Sequence, residues 1–458
     1  MQTIRPTKKR QKPQNPRAGT ASPPAKAVAG TKPAHSALVS QAVVAALLLQ
    51  EQGSSLDMAL TRTLKDARDL TAVERRQVVQ QLNHINRQRA RLAWHLTQVG
   101  SRVSPHHLLL ARTALESGAE VKGLRYSEND LALAKLFKNR TLDDPKMPEA
   151  VRFECPPAFE TPLRKALGPA FQDEMSASLL PPTVDLRVNL LKTTVVEARK
   201  RLRAEDLNPR QTPFSPWGLR CDAGANASAT KAFQDGLIEF QDEASQLAAF
   251  LCDAKPGMQV LDFCSGTGGK ALALAAAMEN KGHLVACDIS EVRLSRSKLR
   301  MKRAGAENAE RKHLPALDDK WMKKHYARFD RVLVDAPCSG TGSWRRNPDA
   351  RWSPQAAKLG ELTALQDEIL ARAAKFVKPG GMLIYATCSL LPQENDARVA
   401  NFLKSHNEFS AGDARTVWRS LTDRAWPCAD EPVLRLSPAK HGTDGFFAAI
   451  LSRATNPA

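Results

Sequence analysis

Apolar positions along the chain fall into three successive patterns, and each predicts a different kind of structure. Up to about residue 140 they recur at helical spacing. Ala42, Val43, Ala46, Leu47 and Leu49 mark a first helix that ends near Gly53. Ser55 can cap a second, running through Met58, Leu60 and Leu64. Thr71 with Glu74 three residues later is a capping box, opening a long helix with Val78, Leu82, Ile85 and Leu92, which Gly100 can stop. Further helices are predicted over 106–117 and, behind Ser127, over 128–138. Together they predict an all-α domain over 36–145. Residues 145–180 hold several prolines and read as a linker with a short helix or two. A strand at 184–190, a helix at 195–202 and a strand signal at 237–240 suggest a small α+β module before the largest domain. The boundary is placed at 235/236. From residue 256 onward, strand runs at 260–263, 283–287, 331–334 and 382–386 alternate with helical stretches. Nearly continuous apolar strands separated by helices predict an α/β domain over 236–458, with a parallel sheet covered on both faces. Ligands in such sheets sit beyond the carboxyl ends of the strands.

Charge adds a partner class. The chain of 458 residues carries 67 Lys+Arg against 48 Asp+Glu, a formal net charge of +19. Eight of those cations lie in the first 50 residues, which hold no acid, leaving 59 basic against 48 acidic side chains elsewhere. A folded body with that surplus favours an anionic partner, nucleic acid before all others. Residues 1–35, rich in Pro, Lys, Ala and Thr, are expected to be a disordered basic tail. Their prolines oppose the amphipathic helix of a transit peptide. The longest apolar run, 42–49, is too short to span a bilayer and lacks a cleavage site after it. Eight cysteines with no C-x-x-C pair argue against a disulfide scaffold or zinc ribbon. A cytoplasmic protein without metal or membrane contact, acting as a monomer, is therefore expected.

Each of these four strands ends in candidate chemistry. The first runs into Cys264-Ser265-Gly266-Thr267-Gly268-Gly269-Lys270 and then an Ala/Leu helix, a turn suited to close backbone approach by a nucleotide. The second ends in Asp288, 22 residues after Gly266, where an acid can hold ribose hydroxyls. These residues leave NAD and S-adenosylmethionine both open. The third ends Asp335-Ala336-Pro337-Cys338 and the fourth Tyr385-Ala386-Thr387-Cys388, so two thiols should emerge at one sheet edge. Downstream, Trp344, Arg345, Arg346, Arg351 and Trp352 interleave aromatic and cationic groups that can stack a base and hold phosphates, although an ordinary solvent-facing surface loop explains the run nearly as well. In the helical region Arg75, Arg76, Arg87, Arg89 and Arg91 could track phosphates, although a solvated helix face is the commoner explanation.

Asp-Ala-Pro-Cys-Ser-Gly-Thr-Gly at 335–342 and Tyr-Ala-Thr-Cys-Ser at 385–389, followed by Pro392-Gln393-Glu394-Asn395, resemble the Nop/Sun family of RNA cytosine-5 methyltransferases. The resemblance covers 236–451, taking in Phe240-Gln241-Asp242-Glu243-Ala244-Ser245 and Asp444-Gly445-Phe446-Phe447. Arg187-Val188-Asn189 resembles the family's small RNA-binding module, and the helical region looks like a NusB-type domain, as in small-subunit ribosomal RNA methyltransferases. Two departures stand out. The family's first motif usually reads Cys-Ala-Ala-Pro-Gly-Gly-Lys, so Thr267 replaces the proline. No acid lies at His313-Leu314-Pro315, where the family holds the adenine, and Asp318 and Asp319 come a few residues late.

The resemblance implies a Rossmann-like, S-adenosylmethionine-dependent catalytic domain acting on RNA. It implies that Cys388 attacks cytosine C6, that Asp335 hydrogen-bonds and protonates the ring at N3, and that Cys338 assists release. Cofactor contacts are expected from Cys264 to Lys270, Asp288 and Asp335, and RNA contacts from Arg187, Arg345 and Arg346. Action on transfer RNA or DNA, or a non-catalytic RNA-binding assembly factor with this fold, are the alternatives.

Overall fold

The computed structural model describes residues 37–117, 126–315, 319–353 and 358–455. The basic tail expected over 1–35 lies outside them. Among the described residues no helix is long and apolar enough to cross a membrane.

The N-terminal region is all-α, as expected of a NusB-type domain. Helices Ala37–Glu51, Leu56–Asp66, Ala72–Arg87, Arg89–Gln98, Pro105–Ser117 and Glu128–Lys135 pack around Val43, Leu47, Leu82, Ile85, Leu92 and Leu108. Ser55 caps the second helix, and the Thr71–Glu74 capping box closes on itself as expected. One expectation fails. The long helix opened by Thr71 breaks at Gln88, whose φ of −124° leaves the helical region. The cause lies far along the chain. Buried Glu154 accepts from the backbone N–H groups of Ala90 (2.7 Å) and Arg91 (3.1 Å) and from Arg91 Nε (3.0 Å), giving the second half its own N-terminus.

The stretch expected to be a linker is structured: helices Glu149–Arg152, Pro157–Leu167 and Phe171–Leu179 bury Phe159, Leu163 and Met175 against Trp344 and Leu391 of the catalytic domain. Trp344 is 1% exposed and meets Phe159 edge-on at 5.5 Å, so it stacks no base. Arg351 lies over the same indole and donates to Ser178 Oγ at 2.7 Å, while Trp352 Nε1 donates to the Asn86 carbonyl at 3.0 Å. The loop read as a nucleic-acid contact is instead the seam between the helical and catalytic parts.

The small module is a four-stranded antiparallel sheet of β1 (Val184–Val188), β2 (Arg210–Gln211), β3 (Gly218–Cys221) and β4 (Ile238–Phe240), in the order β2-β3-β1-β4. Because β4 pairs with β1, the module runs through Phe240, past the boundary expected at 235/236. The catalytic sheet holds β5 (Gln259–Asp262), β6 (His283–Asp288), β7 (Ala309–His313), β8 (Phe329–Asp335), β9 (Val377–Thr387), β10 (Phe409–Gly412), β11 (Leu434–Leu436) and β12 (Phe446–Arg453). Its main order is β10-β12-β9-β8-β5-β6-β7, and β11 pairs with β12. The core pairs β5–β6, β5–β8, β6–β7 and β8–β9 are parallel, whereas β12 inserts antiparallel to β9 and β10 to β12. The sheet is therefore Rossmann-like in its parallel half and mixed at the other edge.

Glu154→Ala is expected to lower the unfolding free energy of the helical domain by about 3 kcal/mol, because it orphans two N–H groups and leaves the Arg91 guanidinium with Asp143 as its remaining carboxylate partner. Denaturant titration followed by circular dichroism checks this, and an unchanged midpoint contradicts it.

Candidate active site

All four sequence-predicted strands end on one side of the sheet, and their terminal residues converge there. The parallel register sets Asp335 of β8 beside Ala386 of β9. The chains leaving these two strands therefore start level, and Cys338 and Cys388 meet with their sulfurs 3.4 Å apart. All eight cysteines are free thiols, and these two, with Cys264, are the half-buried ones. Contact with the Cys388 sulfur, then burial, then the charge of Glu394 push the Cys338 thiol well above its ordinary range.

A buried polar network fixes both cysteine loops. Glu394 is fully buried and accepts from the Ser339 backbone N–H (2.8 Å), the Ser339 and Ser389 hydroxyls, and Gln366 Nε2 (3.0 Å). Thr341 Oγ1 lies 3.2 Å from Ser389 Oγ and accepts from the Leu390 N–H. Asn395 accepts from Thr387 Oγ1 and donates to the Ser389 carbonyl. The motif at 392–395 was legible in the sequence, but its function as an acceptor hub was not.

Beside the cysteines, Lys270 Nζ is 2.5 Å from Asp335 Oδ2 and lies over the Phe446 ring at 5.0 Å. Asp262, at the end of β5, is fully buried, and its carboxylate oxygens make no well-formed hydrogen bond among the described residues, only weaker contacts with the Ser265 hydroxyl and the Ala271 N–H. Burial, opposed by Lys270, pushes its carboxyl up to about 7. Ser265 Oγ is likewise buried, with no well-formed hydrogen bond of its own. The glycine turn follows at once. Gly268 has φ +82° and precedes the helix Gly269–Ala277; a Cβ there would lie 2.9 Å from Ser297 Cβ. Asp288 closes the turn, accepting from the backbone N–H groups of Gly266 (2.8 Å) and Ser290 (2.7 Å) and from Arg293 (3.1 Å). Thr267, standing where the family has proline, is held by Arg300, which donates to its carbonyl (3.0 Å) and hydroxyl (2.9 Å) and is itself paired with buried Glu239 of β4. An ion-paired arginine thus does for this turn what ring rigidity does elsewhere. Burial pushes the Cys264 thiol up, so it suits packing rather than nucleophilic attack. Asp318 lies outside the described residues, and Asp319 opens the helix Asp319–His325.

The three arginines expected to reach RNA are employed inside the protein. Arg187 is 2% exposed and donates to the Gly269 carbonyl at 2.6 Å and to Gln241, tying the small module to the glycine turn. Arg345 is buried between Asp242 (3.0 Å) and Asp444 (2.6 Å), and Arg346 bridges the same two carboxylates at 2.8 and 3.0 Å. A charge run in a loop had looked solvent-facing because its partners sit about a hundred positions away. Arg75 likewise donates to the carbonyls of Leu64, Ala67 and Leu70, capping the preceding helix.

This geometry meets an independent comparison. The model of the family described as 16S rRNA methyltransferase RsmB/F matches residues 249–452. Over these residues the chain is similar to the RsmB/F methyltransferase family. A ribosomal RNA small subunit methyltransferase B of Yersinia enterocolitica is 34% identical over 255 residues, covering 56% of this chain and 59% of that protein. Its counterpart in Yersinia pseudotuberculosis is 33% identical over 287 residues, covering 63% of each. The chain thus spans about three fifths of the length of the curated relatives it matches. Among solved structures, PH0851 is similar with a TM-score of 0.75 and 26% identity, covering 92% of this chain and 100% of that one. That likeness takes in most of the helical region as well as the RsmB/F domain. A methyltransferase homologue from Pyrococcus horikoshii follows at TM-score 0.56 and 27% identity, covering 66% of this chain and 97% of that one.

Two substitutions test how the turn is built. Gly268→Ala is expected to cost about 2 kcal/mol or more, from the left-handed backbone and the contact with Ser297 together. Gly266→Ala, with φ +56° but open space around its Cβ, should cost about 1 kcal/mol. Denaturation midpoints decide, and equal losses contradict the packing argument.

Proposed function

We propose that this protein is an S-adenosylmethionine-dependent RNA cytosine-C5 methyltransferase that works through a covalent bond between Cys388 and the base, with small-subunit ribosomal RNA as substrate. The observation that carries the reading is the pair of sulfurs at the carboxyl ends of neighbouring parallel strands, one residue triplet from Asp335 and beside the glycine turn.

The pocket residues suit the cofactor. Asp262 offers two buried carboxylate oxygens that make no well-formed hydrogen bond among the described residues, acceptors suited to an α-ammonium group. Backbone groups of the Gly266–Gly269 turn allow close approach, and Asp288 keeps the rim acidic for ribose hydroxyls. When bound, the cofactor supplies an electrophilic methyl sulfonium.

Cytosine C5 is too weak a nucleophile to take that methyl group unaided. Addition of the Cys388 thiolate to C6 breaks the C5–C6 double bond and gives C5 enamine character, while the proton that Cys388 gives up passes through Asp335 to N3 and leaves again when the double bond re-forms. Lys270, at 2.5 Å, fixes the Asp335 carboxylate for that contact. After C5 is methylated it still carries its own proton. Removal of that proton re-forms the C5–C6 bond and expels the Cys388 thiolate, and Cys338 stands at the right distance to assist. The target base must leave its stack, costing a few kcal/mol and favouring loops or open RNA.

Cys338→Ser is expected to leave RNA bound covalently through Cys388, seen as a retarded band on a denaturing gel. Cys388→Ser should give neither band nor product. Trapping by Cys388→Ser instead would reverse the two roles, as a DNA-type cytosine methyltransferase requires. Absence of both the band and S-adenosylmethionine binding would point to a non-catalytic assembly factor.

A further inference from the structure

The proposed chemistry uses two thiols, an aspartate and a lysine, yet the most densely bonded acid near the sulfurs is none of these. Glu394 has no solvent exposure, and four donors from three separate segments converge on it: the Ser339 N–H and hydroxyl from the loop after β8, the Ser389 hydroxyl from the loop after β9, and Gln366 Nε2 from the helix Leu359–Ala374. Ser339 and Ser389 directly follow Cys338 and Cys388. The same Gln366 nitrogen also donates to the Pro337 carbonyl, one residue before Cys338. Every partner donates and none accepts, the arrangement that an ionised carboxylate satisfies and an amide does not.

Resting on the reading above, we infer that Glu394 is a positioning residue for the methyl-transfer reaction: it clamps the two cysteine loops through Ser339 and Ser389 and presents its charge to Cys338 from behind. Two consequences follow. Without the clamp, the loops would keep only the Thr341 contacts, the Ser339–Ser389 hydroxyl contact and the Gly342 N–H bond to the Cys388 carbonyl, and a misplacement of about 1 Å at a reacting atom costs on the order of a hundredfold in rate. The charge also acts on Cys338. Contact with Cys388, burial and Glu394 all push that thiol upward. The titratable groups around it are Tyr385 of β9, Cys388 just after that strand and Glu394 itself, with Arg398 paired to Asp367 and Lys270 paired to Asp335. None of these brings a cation to the Cys338 sulfur. The bias disfavours attack by Cys338 and leaves that role to Cys388.

Glu394→Gln in the full-length protein tests both consequences. The variant is expected to lower kcat about a hundredfold with KM for RNA within twofold of the parent. The charge effect is read without methyl transfer, by iodoacetamide alkylation of Cys338 in a Cys388→Ser background, followed by peptide mass spectrometry across pH. Neutralising Glu394 should speed alkylation at pH 8 about tenfold and move its pH midpoint down, which a purely structural role would not do. Unchanged alkylation together with unchanged kcat overturns the inference. Failure of Cys338→Ser to trap RNA would count against the covalent reading instead, and leaves the alkylation result standing on its own. Should Glu394→Gln not fold, Ser389→Ala carries the test. It keeps the carboxylate, cuts its tie to the Cys388 loop, and is expected to lower kcat about tenfold; an unchanged kcat overturns the clamp.

Discussion

Two loops leaving neighbouring parallel strands have no intrinsic reason to stay together, since the ladder that aligned them ends where they begin. In this protein a buried polar network supplies that reason, with one carboxylate at its centre. Glu394 gathers donors from both loops and from the covering helix, beside two sulfurs 3.4 Å apart. Such a network is stable only because it is complete. Each donor finds an acceptor in a region where an unmade hydrogen bond is costly. The hydroxyls of Thr341 and Thr387 and the amide of Asn395 extend the same logic around the site.

Buried charge also sets how the modules sit on one another. Arg187 of β1 holds the glycine turn, and Glu239 of β4 reaches it through Arg300. Asp185 pairs with Arg220 at 2.6 Å, and Arg220 with Glu243 at 3.2 Å, joining the small sheet to the helix that starts the catalytic domain. Arg345 and Arg346 bind Asp242 to Asp444 across most of the length of the catalytic domain. Pairs of this kind add little net stability over an apolar contact, but losing one partner strands a charge in the interior. They therefore specify one arrangement of the small module, the turn and the cysteine loops. The turn can then lack the family's proline because its shape is imposed from outside.

Much of this was legible in the sequence. Helix caps at Ser55, Thr71 and Ser127 are local signals, and each closes as read. The four inner strands are apolar because both faces are covered, and they announce themselves. By contrast, β7 reads Ala-Glu-Arg-Lys-His, since it lies at an exposed sheet edge and buries little. The apolar run of β12 follows no strand–helix alternation because it enters the sheet antiparallel from the chain's end. The break at Gln88 depends on Glu154, more than sixty residues on. Arginines were the least legible. A cation in a loop looks alike whether it faces water or a distant carboxylate, and Arg187, Arg345 and Arg346 all had distant partners. The cysteine pair needed only strand register, which is why it could be anticipated.

The central claim is that Cys388, and no other thiol, bonds to the target base. It is tested most directly with substrate RNA carrying 5-fluorocytosine, in which C5 bears fluorine where the departing proton would be, so that release stalls in the unmodified enzyme. After incubation with S-adenosylmethionine, nuclease digestion and peptide mass spectrometry, the account predicts one methylated fluoropyrimidine nucleotide attached to the Cys388 peptide. Attachment to Cys338, or a methylated RNA with no protein adduct at all, would contradict it.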